Sequence, residues 1–285
     1  MEIFHTKGII RTNQSPIKVY PYRYLIYVKW SAQSAERKAN SKQFRSNILT
    51  QPNRNESTIK QSGFMVITIL ILAVFTLPVN ASCSDRGGPG VDWSGCKKSY
   101  KMLNQQDFSN AKFNESDLSS GRLDSSDFTD GSLIKADLSR SNAKNSLFKR
   151  TNMLKSMGYH TDFSASRFIG AVLVKSEFSR ANFENAIFQQ VDWSRAEIGR
   201  AEFNGASLDG VKFENSNLSR ARFSGATLLQ VDFIGAYTFY TRFEGVDLSS
   251  SKNITQAQIN MACGDNETVL PSGLSRPTTW PCSSD

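Results

Sequence analysis

The sequence predicts an all-β fold in which short extended segments wind around one axis as a solenoid. Three observations lead to this prediction. From Trp93 to Leu248, every fifth residue is large and apolar at 28 of 32 positions, without an insertion or deletion. From Ala111 onward, an Ala, Ser, Gly, Thr or Val lies two positions before each of them, and the residue between is often Asp or Asn. A helical face repeats about every 3.6 residues and a strand face every two, so neither element alone explains a period of five.

Side-chain alternation turns this period into a geometry. Residues two apart on an extended segment face the same way, so the small and the large residue point inward and the polar residue between them points outward. The remaining two positions are mostly polar or glycine, which suits a turn. An edge and a corner repeated in this way wind into coils that bury their inner residues against each other. Four inner positions depart from the pattern: Lys98, Ala143, Gly158 and Thr238.

The repeats also carry a known motif. The segments SDLSS at 116–120, ADLSR at 136–140, ANFEN at 181–185 and VDFIG at 231–235 resemble the A(D/N)LXX motif of the pentapeptide-repeat protein family. The resemblance implies a right-handed quadrilateral β-helix with four pentapeptides per coil, and therefore about eight coils in a repeat domain at 91–252. Residues 20 apart should then stack in columns, such as Phe108, Phe128, Phe148, Phe168 and Phe188.

The N-terminal part of the chain differs from the repeats. Residues 1–63 form a basic leader, which we expect to be disordered or to reflect a start assigned too far upstream. Residues 64–81 are typical of the hydrophobic region and cleavage site of a signal peptide, since about 14 apolar residues are short for a membrane span. This predicts a periplasmic or secreted protein. The alternative is a membrane protein anchored by an uncleaved segment at 64–79.

The four cysteines flank the repeats. Cys83 and Cys96 precede them, and Cys263 and Cys282 follow them. An even number of cysteines behind an export signal indicates disulfides. Three pairings exist, and we expect the local ones, 83–96 and 263–282, because each pair lies at one end of a rigid body. The first pair would belong to an N-terminal cap at 82–97.

The C-terminal segment 253–285 predicts a cap. Thr255 and Gln258 form a capping box, and Ile254 and Ile259 occupy the hydrophobic-staple positions of the same helix start. We expect a short helix at about 256–262 that covers the last coil and ends at Gly264, followed by a Pro-rich tail.

Charge and motifs exclude several function classes. Residues 1–60 hold 11 Lys or Arg and 3 Asp or Glu, whereas residues 61–285 hold 23 of each sign. The body therefore lacks the excess positive charge that binds phosphates, and we expect no nucleic-acid partner. No nucleotide-binding or nucleophile motif is present, and most carboxylates occupy outward repeat positions. These features predict a protein without catalytic activity, cofactor or metal.

Gly158 interrupts the inner register next to one of the two histidines. One interpretation is a loosened coil that exposes Tyr159 and His160. The favoured interpretation is a locally degenerate repeat.

Two surfaces are predicted to bind a partner. Ile134, Leu154 and Val174 lie 20 residues apart at an outward position and would form an apolar stripe, beside Val172. The second candidate comprises Tyr237, Phe239 and Tyr240, unless the C-terminal cap covers them.

The predicted function is an exported scaffold that binds a protein, and a second copy of the chain is one candidate partner. A DNA mimic that protects topoisomerases is an alternative, although it requires an acidic rod in the cytoplasm. A secreted effector that acts on a host protein is another.

Overall fold

The computed structural model describes residues 82–283, which form a four-sided parallel β-helix. Asp92, Lys97, Met102 and Asp107 each pair in parallel with the residue 20 positions later, which gives one bridge for each side of the coil. The column that starts at Asp92 continues by steps of 20 residues to Lys252, eight steps in all. The coil therefore contains four pentapeptides. The predictions for the leader and for residues 64–81 lie outside the described residues.

One side of the helix contains regular strands. They are β1 Leu147–Lys149, β2 Arg167–Ile169, β3 Ile187–Gln189, β4 Ser207–Asp209 and β5 Thr227–Leu229. The five strands form a parallel sheet in sequence order, and Phe148, Phe168, Phe188, Leu208 and Leu228 are paired directly along it. On the other sides of the described coils, the pairing consists of single bridges. A corner every five residues keeps the extended segments short on every side.

The predicted inward and outward faces are confirmed. Every fifth residue from Phe108 to Leu248 is buried, and so is every small residue in the series from Ala111 to Val246. Most hydroxyls in the small series donate to main-chain carbonyls, either one coil earlier, as Ser146 Oγ does to Leu123 at 2.9 Å, or three residues back, as Ser116 Oγ does to Phe113 at 2.7 Å. These bonds satisfy the hydroxyls inside the core, which explains why Ser can replace Ala at such positions.

The corners have a left-handed backbone. From Trp93 to Phe243, the residue two positions after each inner residue has a positive φ, for example 57° at Lys135, 57° at Asn145 and 67° at Gly205. Glycine and asparagine adopt this conformation readily, whereas other residues do so at a cost of about 1 kcal/mol or more. The pattern accounts for the polar and glycine-rich composition of these positions.

Gly158, one of the four exceptional inner positions, has a local explanation. A side chain at Gly158 would collide with the Phe178 ring, which belongs to the next coil and fills the space. The main-chain bond from the Gly158 N–H to the Glu177 carbonyl is intact at 2.8 Å. The coil is therefore regular at this point, and the missing side chain is compensated by its neighbour.

The N-terminal end is closed by a lysine and a disulfide. The Lys98 ammonium lies 3.5 Å from the centroid of the Trp93 ring and donates to the Cys83 carbonyl at 2.7 Å. Burial lowers the pKa of Lys98. Cys83 is bonded to Cys96, with a Cα–Cα distance of 5.4 Å. Lys98 is therefore accommodated at an inner position of the first coil, because its ammonium packs on the Trp93 ring and donates to a main-chain carbonyl.

The C-terminal end is closed by helix α1, Gln256–Met261. The predicted capping box is present, since the Thr255 N–H donates to Gln258 Oε1 at 2.8 Å and the Gln258 N–H donates to Thr255 Oγ1 at 3.3 Å. Gln258 Nε2 donates to the carbonyls of Phe233 and Ala236 at 2.7 and 2.9 Å, which ties α1 to the last coil.

The predicted helix span agrees with α1, but Gly264 does not end the helix. The C-cap is Ala262 in an extended conformation, and Gly264 instead lies against the Trp280 ring, where a side chain would collide. Trp280 Nε1 donates to the Ala262 carbonyl at 2.6 Å, and Cys263 is bonded to Cys282 with a Cα–Cα distance of 5.5 Å. The tail therefore folds back over the end of α1. Within residues 82–283, no helix has the length and apolar character of a membrane span.

Candidate interaction surfaces

The interior of the β-helix is filled with side chains. Aromatic rings stack along it: the Phe148 and Phe168 centroids are 4.7 Å apart, and those of Phe168 and Phe188 are 5.0 Å apart. A binding site in the described region must therefore lie on the outside of the rod, on its four sides, its corners or its ends.

The predicted apolar stripe occupies one column. Ile134, Leu154 and Val174 follow each other at steps of 20 residues, and their carbonyls accept bonds from the N–H groups one coil earlier, at Glu115, Lys135 and Lys155. All three side chains are half-buried. Their role as a binding surface stays a prediction.

A more exposed apolar surface lies at the C-terminal end. We define the aromatic patch as Tyr237, Phe239, Tyr240 and Met261, whose exposed fractions are 48%, 38%, 37% and 36%. The Tyr237 and Phe239 rings are stacked, with centroids 6.1 Å apart, and the Phe239 and Tyr240 centroids are 4.7 Å apart. The Tyr240 N–H donates to the Met261 carbonyl at 2.7 Å. The cap helix thus borders the patch and leaves it open.

A basic surface lies along the corner of the β-helix that leads to Tyr240. We define the arginine corner as Arg180, Arg200 and Arg220, which follow one another at steps of 20 residues. Their φ values are 60°, 60° and 58°, so all three stand at left-handed corner positions and project from the edge of the rod. The same column contains His160 before them and Tyr240 after them.

The arginine corner borders a groove of about 470 Å³. Two further arginines line it, and each has a carboxylate partner. Arg222 Nε lies 3.8 Å from Glu202 Oε1, and Arg242 Nη2 lies 2.8 Å from Glu244 Oε1. The residues that line the groove are His160, Arg180, Arg200, Glu202, Arg220, Arg222, Tyr240 and Arg242.

Two tyrosine rings lie next to the first and last arginines of the arginine corner. The Arg180 guanidinium carbon lies 6.0 Å from the centroid of the Tyr159 ring, and that of Arg220 lies 5.8 Å from the Tyr240 ring. Cation–π contacts at such distances orient a guanidinium without neutralising its charge. His160 contacts Tyr159 edge-on, with centroids 4.3 Å apart.

Two pairs of stacked corner residues have opposite charges. Lys135 Nζ donates to Glu115 Oε1 at 2.6 Å, and Arg150 Nε donates to Asp130 Oδ1 at 2.6 Å, in each case between residues 20 apart. The hydrogen bond from the basic partner lowers the pKa of Glu115 and of Asp130. The arginine corner instead repeats one charge on consecutive coils.

The arginine corner cannot be inferred from the amino-acid composition alone. Residues 61–285 carry 23 charges of each sign, so the net charge of the body gives no hint of a local basic surface. The signal that could have revealed it is the 20-residue step applied to the corner position, at which Arg140, His160, Arg180, Arg200 and Arg220 align.

The comparisons agree with the repeat unit. Residues 176–253 match the family model of the pentapeptide repeat region. No curated protein matches the chain.

Three solved structures illustrate the similarity. HetL, a pentapeptide repeat protein involved in heterocyst differentiation regulation from the cyanobacterium Nostoc sp. strain PCC 7120, is 17% identical over 70% of this chain and 91% of that chain, with a TM-score of 0.29. QnrB1, a plasmid-mediated fluoroquinolone resistance protein, is 17% identical over 64% and 90%, with a TM-score of 0.36. A pentapeptide repeat protein from the Arabidopsis thaliana thylakoid lumen is 17% identical over 48% and 67%, with a TM-score of 0.21.

Proposed function

We propose that this chain, a pentapeptide-repeat protein, is a non-catalytic scaffold that is exported to an oxidising compartment and binds a protein partner there. The observation that carries the proposal is the aromatic patch. Tyr237, Phe239, Tyr240 and Met261 are each at least one-third exposed and lie together at the C-terminal end of the β-helix.

The patch has the properties of a protein-binding surface. Aromatic residues and methionine are enriched in the centres of interfaces, where their large surfaces are buried on binding. The rings of Tyr237, Phe239 and Tyr240 already contact one another. Because they sit on a β-helix tied to α1, they lose little conformational freedom on binding, which lowers the entropic cost of association.

Export is supported by the cysteines and the leader. Both pairs are disulfide-bonded and lie at the ends of the repeats. Disulfides persist in oxidising compartments and are rare in the cytosol. Together with the signal-like segment 64–81, they favour a periplasmic or secreted protein. N-terminal sequencing of the exported protein should begin near Ser82, whereas a chain that begins at Met1 in the membrane fraction would support the anchored alternative.

The packed interior supports a role without catalysis. Within the described residues, aromatic and aliphatic side chains fill the centre of the coils, which leaves a substrate only the open outer surface. An enzyme commonly excludes water from the reacting groups, and an open convex surface does this poorly. The arginine corner disfavours the alternative of a DNA mimic, since a mimic of DNA presents negative charge.

The test compares two double variants of the mature protein. In the first, Tyr237→Ser and Phe239→Ser remove half of the aromatic patch but leave Tyr240, which also lines the basic groove. In the control, Met102→Ser and Leu229→Ser remove exposed apolar residues elsewhere, at 65% and 50% exposure. Each protein is immobilised, and partners are captured from an extract of the exported compartment, purified and titrated by calorimetry.

We expect a partner whose affinity falls at least about tenfold for the patch variant and is unchanged for the control, a difference of about 1.4 kcal/mol. The thermal midpoints of the two variants should match that of the wild type. A set of partners that binds all three proteins with equal affinity would remove the aromatic patch as the binding surface.

A further inference from the structure

We infer that the arginine corner and its groove bind an extended acidic segment of the partner polypeptide. The inference rests on the proposed function, because it specifies the chemistry of the partner that the scaffold binds. Its argument is independent of the aromatic patch, since it starts from the repetition of one charge on consecutive coils.

The repetition is electrostatically unfavourable in the free protein. Corner residues one coil apart are separated by about one strand spacing, or about 4.8 Å. Some corner neighbours form ion pairs, as Lys135 does with Glu115, whereas the next corner also repeats positive charge, at Lys155, Lys175 and Arg195, but its residues do not line the groove. Within residues 82–283, neither Arg180 nor Arg200 has a carboxylate within ion-pair distance. An anionic ligand would replace the repulsion between these guanidinium groups by attraction.

The chemistry of the groups favours carboxylates. A guanidinium presents a planar fork of N–H donors that fits a carboxylate with two parallel hydrogen bonds. The guanidinium groups of Arg180 and Arg220 also lie 6.0 and 5.8 Å from the Tyr159 and Tyr240 ring centroids, at the outer limit of a cation–π contact. The corner is thus a row of three guanidinium groups, and the outer two each have an aromatic neighbour.

The length of the groove fits a short peptide. From His160 to Tyr240 the column spans four coils, which at the strand spacing is about 19 Å. An extended polypeptide rises by about 3.3 Å per residue, so about six residues cover this distance. A segment with carboxylates on one face could contact all three arginines along the axis of the rod.

The groove is continuous with the aromatic patch. Tyr240 lines the groove and is also a member of the patch. A partner that carries an acidic run next to apolar residues could therefore occupy both surfaces without a gap. Charges at the rim mainly raise the association rate, whereas buried aromatic contacts retain the partner, so the two surfaces would serve different steps of binding.

A long polyanion fits less well than a short acidic segment. Glu177 and Glu197 line a second depression on the neighbouring side, outside the groove. A nucleic acid or a sulfated glycan that extends past the arginine corner would meet these carboxylates. The balanced charge of residues 61–285 also provides no wider field to hold such a polymer.

The experiment uses a matched pair of triple variants. Arg180→Asn, Arg200→Asn and Arg220→Asn remove the arginine corner. The control is the neighbouring basic corner, changed by Lys155→Asn, Lys175→Asn and Arg195→Asn. All six residues have φ between 57° and 60°. Asn tolerates this conformation, and it occupies the equivalent corner position at Asn145, Asn185 and Asn215. The two variants therefore lose the same charge with the same backbone requirement.

The probe is a fluorescein-labelled peptide of six glutamates followed by Gly and Trp, measured by fluorescence anisotropy with the mature protein. The wild type should bind it with a dissociation constant that rises with salt. We expect the arginine-corner variant to lose at least about tenfold in affinity. The control should retain wild-type affinity, and a peptide with glutamines should bind to none of the proteins. The single variant Arg200→Asn should show an intermediate loss, which provides a second measurement if the triple variant does not fold.

Three results would overturn the inference. Equal losses in both triple variants would show that only net charge matters. Tighter binding of a single-stranded DNA or heparin fragment of equal charge, with the same dependence on the arginines, would assign the corner to a different class of ligand. The outcome is separable from that of the proposed function. A partner that requires the aromatic patch but binds the arginine-corner variant normally would leave the scaffold proposal standing and refute the acidic segment.

Discussion

The Phe203 and Phe223 rings lie parallel, with planes 2° apart and centroids 4.8 Å apart. Phe183 stacks on the other side of Phe203 at 5.0 Å. These distances equal the spacing of neighbouring strands, about 4.7–4.9 Å. The side-chain ladder therefore has the same repeat as the backbone, so each ring fills its own coil and contacts the rings above and below.

This relationship predicts the cost of removing one ring. Phe203→Ala leaves a cavity between two stacked phenylalanines that cannot close without shifting the coils, and it should destabilise the protein by about 3–5 kcal/mol. The matched control is Asn204→Ala, at the next position along the chain and outside the ladder, which should cost less than about 1 kcal/mol. Denaturant unfolding followed by circular dichroism measures both. Equal losses would contradict the assignment of inner and outer positions.

Gly158 gives a test of packing between coils. Gly158→Ala places a methyl group against the Phe178 ring, so we expect it to destabilise the protein by about 1–3 kcal/mol through overpacking. Phe178→Leu removes part of the ring and should relieve the contact. The double variant should therefore be more stable than the sum of the single changes predicts. Strict additivity in a double-mutant cycle of unfolding free energies would show that the ring does not fill the Gly158 position.

The repeat pattern made much of the fold predictable. A five-residue register determines which side chains point inward, and the pairing of Phe168 with Phe188 follows from four such units per coil. The helix start at Thr255 was readable because a capping box is encoded within four residues. The local pairing of the cysteines followed from their position at the two ends of the repeats.

Features that depend on neighbouring coils were harder to predict. The role of Phe178 in filling the space at Gly158 involves the orientation of a ring one coil away, which the register does not specify. The role expected of Gly264 at the helix end was wrong because Gly264 lies against Trp280, a contact made by the returning tail. The arginine corner was missed because a net charge sums over all sides of the rod, whereas binding depends on which charges share a column.

The C-terminal disulfide should stabilise the cap. It closes a loop across 19 positions, so Cys263→Ala with Cys282→Ala should cost about 3 kcal/mol. The tail should then become sensitive to protease, because Trp280 loses the covalent link that holds it near Ala262. Reduction of the wild type is the control and should produce the same sensitivity. Unchanged stability and protease resistance in the variant would show that packing of the tail suffices.

The stability of the protein should depend on pH through the aspartates at the outward position. The Ser119 hydroxyl donates to Asp117 Oδ1 at 2.6 Å, and the Ser119 N–H donates to the same atom at 3.0 Å. The hydrogen bond from the Ser119 hydroxyl lowers the pKa of Asp117, and bonds from Ser249 lower that of Asp247 in the same way. A carboxylate with a lowered pKa in the folded state stabilises the protein above its unfolded pKa of about 3.9. That stabilisation is lost as the pH falls through the folded pKa.

The thermal midpoint should therefore decline as the pH is lowered from about 5 to about 2. Asp117→Asn with Asp247→Asn retains an oxygen that accepts the backbone N–H but cannot titrate, so the decline should be shallower. Ser119→Ala is the control for the cause, because it removes the hydroxyl bond, leaves the backbone bond and should also reduce the acid dependence. Differential scanning calorimetry across this pH range measures all three proteins. Profiles for the Asn variant that run parallel to the wild type throughout would show that these aspartates do not stabilise the folded state through their charge.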